Sequence, residues 1–460
     1  MGESYFVESN CFTEVITRLH SRVWGLVATM VLQVLICFGS PEGEIELREW
    51  SCFGGSASRS GAVDVEFSFG ELKPTWTFKP GETRWAYRKG ISVWSSPAIA
   101  EVDGQARVYI GSYDHHLYCL DGESGRKIWA FIAGDGVFST PAVGLLKRGP
   151  AVFFGSADRT VYAISAVDGK RLWSFEVYPW KDTVLPAVMS SPALHKEDGR
   201  LYVFIGASYQ DRTAFKNVQK GELLALDAET GKARWRKLLT TTFVTSPCIG
   251  KVGGEHRVFA ATQDGIVRAL QIDNGDEVWR FAANELIHGS VSFGVIQGRA
   301  MVFIGTRHHS VYALDAATGK RKWKYKCGYW VDSTPAVVDV DGQAIVLFGS
   351  YDRGVYAVDA LKGRELWKRA TKDWVSASGA VGLLNGKRSL FISGLDGNLY
   401  GIDAASGAVN AKFRGGKIIW SHVQQGDAIW SSPAAGQVSN TKLLVYPSYS
   451  YQVHGFVEKD

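Results

Sequence analysis

Short runs in which apolar and polar residues alternate recur along most of the chain, as in Arg107-Val-Tyr-Ile-Gly111 and His116-Leu-Tyr-Cys-Leu120. A period of two over five or six residues, bounded by turn formers, predicts strands rather than helices. The runs come in sets, and each set carries two landmarks. One is a hairpin signature, complete at Ala225-Leu-Asp-Ala-Glu-Thr-Gly-Lys-Ala-Arg-Trp235 and Ala313-Leu-Asp-Ala-Ala-Thr-Gly-Lys-Arg-Lys-Trp323 and recurring more loosely six further times. The other is a Ser/Thr-Pro step twelve residues after the tryptophan, as in Ser96-Pro97, Thr140-Pro141, Ser246-Pro247 and Thr334-Pro335, which opens the next set.

Aligned on the tryptophan, the sets fall at Trp85, Trp129, Trp173, Trp235, Trp279, Trp323 and Trp367, with Ala411 in the eighth slot. Every interval is 44 residues except the 62 from Trp173 to Trp235. Four residues before each stands a glycine, from Gly81 to Gly407, as a tight hairpin with positive φ requires. Each set is therefore four antiparallel strands, a to d. A repeat of roughly 40 to 50 residues with four strands predicts a propeller blade, because one such sheet cannot bury both faces alone. Strands a begin near residues 97, 141, 192, 247, 291, 335, 379 and 433. The fold predicted is all-β: an eight-bladed β-propeller of four-stranded antiparallel blades, closed by N- and C-terminal strands. Thr83-Arg-Trp-Ala-Tyr87 reads as the strand d that completes the last blade. Lys73-Pro-Thr-Trp-Thr-Phe78 and Tyr451-Gln-Val-His-Gly-Phe456 are further strands, and which of them pairs with the strand of Trp85 is open.

The motif Ala-x-Asp-x-x-Thr-Gly-Lys-x-x-Trp resembles the tryptophan-docking motif of the pyrroloquinoline-quinone (PQQ) type propellers. The resemblance covers roughly residues 50–460 and implies the same fold. It implies less about function, since that superfamily holds quinoprotein dehydrogenases and non-enzymatic scaffolds such as the outer-membrane assembly lipoprotein BamB.

Topology alone sorts the loops. The b–c turns and d–a connections share one end of the disc, here the top, and the a–b and c–d turns share the other. Every departure from the 44-residue period lies at the top, in Trp173–Pro192, Ser208–Gly221 and Ala411–Pro433, and variable loops mark a binding face. In the b–c turns Asp114, Asp158, Asp264, Asp352 and Asp396 share a slot that serves the turn itself. The next slot holds Gly265 and Gly397 in two blades but His115, Arg159, His309 and Arg353 in four others. The residue before each proline slot is a small hydroxyl in all eight blades, as a narrow central channel demands. Two residues earlier the slot is non-uniform: Trp94, Phe138, Met189, Val244, His288, Asp332, Ser376 and Trp430. These are expected to ring the channel mouth, with Trp180, Trp330 and Trp374 on neighbouring loops. Such a mouth buries a planar or extended ligand edge.

Composition narrows the reading. At 46% apolar and 12% aromatic residues the chain has ample core, and the repeat makes residues 76–460 one domain despite the length. A net charge of +5 without any Lys/Arg run argues against a nucleic-acid partner. Residues 1–40 read as an export signal or membrane anchor: Arg18, His20 and Arg22 precede an uncharged run, Val23 to Ser40, then Glu42, Glu44 and Glu46. Residues 41–75 read as a lead-in lying along the outside or across one face. A positive flank kept inside places the propeller in the periplasm or outside the cell, with membrane contact through the N-terminal segment alone. The six cysteines show no metal spacing.

Quinoprotein dehydrogenases, by the resemblance, hold PQQ and calcium at the mouth with a carboxylate, an amide and a catalytic aspartate, often beneath a disulfide of adjacent cysteines. Adjacent cysteines are absent here, and Asp332 is the sole acid in the mouth slot, whereas calcium wants six to eight oxygens. The pairs His115-His116 and His308-His309 belong to opposed blades, so one ion cannot bridge them. The function expected is therefore an exported, non-catalytic propeller binding a protein or peptide partner through the top face, with no cofactor and no catalytic or metal-ligating residue. Envelope protein assembly is the nearest precedent that the resemblance supplies. The alternatives are a PQQ- and calcium-dependent dehydrogenase and an accessory protein of a periplasmic redox or polysaccharide system.

Overall fold

In the computed structural model the described residues are 56, 62–68, 73–81, 93, 95–177, 184–211, 218–239, 245–414, 431–448 and 452–459. The candidate leader, residues 1–40, lies outside them. Every regular element described is a strand, and the sheets form eight blades around one axis. Blade one is typical: strands a (Ala98–Val102), b (Gln105–Gly111), c (His116–Asp121) and d (Lys127–Ile132) pair antiparallel in chain order. Apolar residues of strands b and c pack between neighbouring blades, where Val108, Tyr109, Phe153, Phe204, Phe259 and Phe303 are fully buried.

Among the described residues, seven tryptophans fix blade to blade. Trp129, Trp173, Trp235, Trp279, Trp323 and Trp367 each lie on the c–d glycine of the next blade and donate their indole N–H to a carbonyl of that hairpin, at 2.8 to 3.2 Å. Those glycines have φ between 65° and 73°, and a Cβ on any of them would collide with the ring. The seventh docking residue is Trp76, which corrects the assignment to Trp85. Trp76 donates to the Gly122 carbonyl at 2.8 Å, and a Cβ on Gly125 would meet its ring at 2.5 Å.

The strand that completes blade eight is accordingly Trp76–Phe78, paired with Val453–Lys459 through Trp76↔Gly455 and Phe78↔Val453. Closure by both termini therefore holds, with a different N-terminal strand. Thr83–Tyr87 lies outside the described residues. Gly81 has no positive φ; its N–H donates to the Tyr118 hydroxyl at 3.3 Å, so it belongs to the d–a connection rather than to a hairpin. The true interval from Trp76 to Trp129 is 53 residues, which puts nine extra residues in one more top connection. The absence of a tryptophan at Ala411 also acquires a reason. Blade eight receives its strand d from the N-terminus and has no c–d hairpin glycine on which such a ring could dock.

The eight small hydroxyls do more than pack. The backbone N–H of each donates to the hydroxyl of the next: Ser96 to Thr140, Thr140 to Ser191, and onward through Ser246, Ser290, Thr334, Ser378 and Ser432. Ser432 N–H then donates to Ser96 Oγ at 2.8 Å and closes the circle. This buried ring joins the innermost strands of all eight blades just below the mouth.

Two additions break the symmetry. Ala62–Phe67, within the lead-in, runs parallel to Ala380–Leu384 on its axis-facing edge, with Val65 and Phe67 fully buried. The lead-in thus sits inside the blade circle over this stretch, where the sequence suggested the outside or one face. In blade three, Arg200–Asp211 and Val218–Asp227 form an extended hairpin, and Val184–Ala187 pairs with its upper part.

Candidate functional site

The top face is built from the b–c turns and d–a connections. In each described b–c turn of the short type the slot after the aspartate adopts left-handed φ: 71° at His115, 75° at Arg159, 65° at His309 and 66° at Arg353, like Gly265 and Gly397 at 85° and 77°. A side chain there is strained relative to glycine. The carbonyls of this slot have a common structural duty, accepting the N–H of Ala133, Val177, Ala283, Cys327 and Thr371 at 2.7 to 3.0 Å. The side chains diverge. His115 Nε2 lies 3.6 Å from Asp135, Arg159 lies 3.9 Å from Glu176, and the His309 ring meets Tyr329 at 5.2 Å. Arg353 is exposed.

The preceding aspartates are structural, as their turn position implies. Asp158 accepts from Tyr162 Oη and from Gly134 N–H, both at 2.7 Å, tying its turn to the connection from the previous blade. Asp352 does the same with Tyr356, Gly328 and Lys368. Burial raises the Asp352 pKa, but these hydrogen bonds and the Lys368 charge outweigh it and leave the carboxyl below its ordinary range.

Chemistry gathers in one sector, blades four to seven. The Arg307 guanidinium grips both oxygens of Asp332 at 2.8 to 3.2 Å, and the two side chains are only 12% and 4% exposed. The same guanidinium lies over the Trp330 ring, 4.7 Å from its centre. His288 Nε2 accepts the side-chain N–H of Gln263 at 3.1 Å. Burial, only partly opposed by Asp332, pushes its pKa down to about 4, so it is a neutral imidazole at pH 7. Aromatic rings continue along the rim. Tyr329 stacks on Trp330 at 5.0 Å, Trp330 meets Tyr351 at 5.7 Å, and Tyr351 meets Trp374 at 5.2 Å. Tyr329, Trp330 and Trp374 are half-buried.

Of the expected site residues, His288, His309, Trp330, Asp332 and Trp374 thus come together. His115 and Arg159 stand on other blades of the rim. Trp94, Trp180, Val244 and Trp430 lie outside the described residues. Sequence reasoning missed Arg307, Gln263 and Tyr351, which occupy the slot before the b–c aspartate. That slot also holds Tyr113, Ala157 and Leu395, so its variability was the available signal.

Does the sector fit calcium and PQQ? Both Asp332 oxygens are engaged by a cation, and among the described residues no group of three or more His, Cys, Asp or Glu side chains is placed to hold a metal. The oxygen-rich cage that calcium needs is not what these residues offer.

The family described as outer membrane protein assembly factor BamB matches residues 73–246, 197–293 and 263–446. The chain belongs to this family of PQQ-like propellers. No curated protein matches it by sequence. Among solved structures it is similar to a quinohemoprotein alcohol dehydrogenase from Pseudomonas putida HK5, with TM-score 0.67 and 13% identity over 88% of this chain and 80% of that one. BamB from Moraxella catarrhalis gives TM-score 0.52 and 14% identity over 83% and 97%. A computationally designed protein, Ika8, gives 0.55 and 16% over 80% and 97%. At these identities the likeness concerns the fold. An enzyme, an assembly factor and a designed protein share it, so function must be argued from the site.

Proposed function

We propose that the chain is an exported propeller without catalysis of its own that takes a protein or peptide partner on its top face, in the manner of an envelope assembly factor. The observation that carries this reading is the run of rings His309, Tyr329, Trp330, Tyr351 and Trp374 beside the buried Arg307–Asp332 pair. Half-buried aromatics around a desolvated Arg are the composition of interface anchors. Two strained arginines on the same rim, Arg159 and Arg353, add positive charge toward an acidic partner, and His115 and His309 fill the same strained slot on two other blades. The family's description, an assembly factor, supports a scaffold role, and the charge and hydropathy pattern of residues 1–40 supports export.

A photo-crosslinking residue at Trp330 tests this in the envelope, with one at Lys320 on the bottom face as control. Partner adducts are expected from position 330 alone. Adducts from 320 alone would reverse the assignment. The dehydrogenase alternative draws on the higher fold similarity to the alcohol dehydrogenase. Calorimetry with PQQ and calcium separates the two, since stoichiometric submicromolar binding together with dye reduction by alcohols or sugars would replace the scaffold reading.

A further inference from the structure

Away from the top face, two equivalent slots each hold one residue out of keeping with the rest. The third residue of strand a is Ala100, Gly144, His195, Gly250, Gly294, Val338, Gly382 or Gly436. Glycine dominates because a neighbour leans into the slot: a Cβ on Gly250 would meet the Phe293 ring at 2.5 Å. Blade three places an imidazole there instead. The second residue of strand b is Ala106, Pro150, Leu201, His256, Ala300, Ala344, Arg388 or Lys442, and blade four supplies the second imidazole. The two rings meet across the interface of blades three and four, with centroids 4.3 Å apart and planes inclined by 50°. Both are half-buried and lie toward the bottom of the disc. The Arg234 guanidinium stands close enough to His195 to act on it electrostatically. The Arg234 charge is itself balanced: its guanidinium pairs with Glu197 at 2.5 Å and lies 4.5 Å over the Tyr202 ring.

We propose that His195 and His256 form a two-imidazole site for a borderline divalent metal, Zn²⁺, Ni²⁺ or Cu²⁺, clipping blade three to blade four. Neutral imidazole suits these ions. Metal–nitrogen bonds of about 2.0–2.1 Å set two ligand nitrogens about 3.3 Å apart in a tetrahedral site, a separation of the same scale as the 4.3 Å between the two ring centroids. Water completes the coordination. The site is on the opposite face from the partner surface, and neither reading depends on the other.

The test is calorimetric titration of NiCl₂ and of ZnCl₂ into the metal-stripped full chain, with thermal unfolding in parallel. The substitutions are His195→Ala and His256→Ala, because alanine stands in the same slots at Ala100, Ala106, Ala300 and Ala344; circular dichroism checks that both fold. The wild-type chain should bind one equivalent with a raised Tm, and each substitution should weaken that binding at least about tenfold. Three results would overturn the site: no binding by the wild type, loss in only one of the two variants, or binding that survives both.

Discussion

Replacing Trp76 with alanine probes the closure of the propeller. The side chain is 7% exposed and fills the space between the blade-one hairpin and strand c of blade eight, where Cβ atoms on Gly125 and Gly455 would lie 2.5 and 2.0 Å from its ring. It also satisfies the Gly122 carbonyl. Removing a ring so enclosed costs about 3–5 kcal/mol, most of it cavity and lost burial, with about 1–3 kcal/mol more if the buried Gly122 carbonyl is left without a donor. Trp323→Ala is the reference, since that ring makes the same contacts with Gly363 and the Ala360 carbonyl between two uninterrupted blades. Guanidinium unfolding followed by far-UV circular dichroism should show both midpoints falling with similar slopes. Trp76→Ala alone should add aggregation near the transition, because its three-residue strand covers the edge of Val453–Lys459. An unchanged midpoint for Trp76→Ala, with a full loss for Trp85→Ala, would refute the closure described here.

Other expectations follow from the same contacts. Ser378→Ala removes the acceptor of the buried Thr334 N–H and should cost about 1–3 kcal/mol, with faster amide exchange at Thr334; equal protection in both proteins would mean that the hydroxyl ring is not cohesive. Asp352 titrates below its unfolded value, so its contribution is present above the ordinary carboxylate range and is lost as pH falls through the lowered folded pKa. Asp352→Asn should therefore flatten the acid limb of the stability profile. His288 is pushed down to about 4, so the unfolded chain takes up its proton first and stability falls between about pH 6.5 and 4. His288→Gln should remove that slope, and an unaltered profile would show that the ring is not buried in solution.

Much of the fold is legible in the chain because a blade is a local object. Strand alternation, the hairpin glycine and the hydroxyl before proline all lie within one 44-residue unit. Closure is not local, and there the reading slipped. Gly81 and Trp85 copy the Gly-x-x-x-Trp spacing 44 residues before Trp129, yet docking is decided by a contact of Trp76 with Gly125 that no spacing encodes. The hydroxyl slot was visible as a uniform column, whereas its role as a chain of acceptors needed the geometry of adjacent blades. At the mouth, a variable column points to His288 and Asp332, and the tryptophans of the neighbouring loops include Trp330. Arg307 stands in the column before the turn aspartate, which varies just as freely and carries the same signal.

The central claim, that the top face takes the partner, is tested most directly by charge reversal measured against the crosslinked partner. Arg159→Glu with Arg353→Glu changes two rim cations, and Lys232→Glu with Lys320→Glu changes two exposed cations in the bottom c–d turns. Surface changes of this kind alter stability by only about 0.5 kcal/mol, so both proteins should fold. Association rates should fall for the top pair, with a weaker salt dependence, and stay unchanged for the bottom pair. Loss of association in the bottom pair with an intact top pair would contradict the assignment of the binding face.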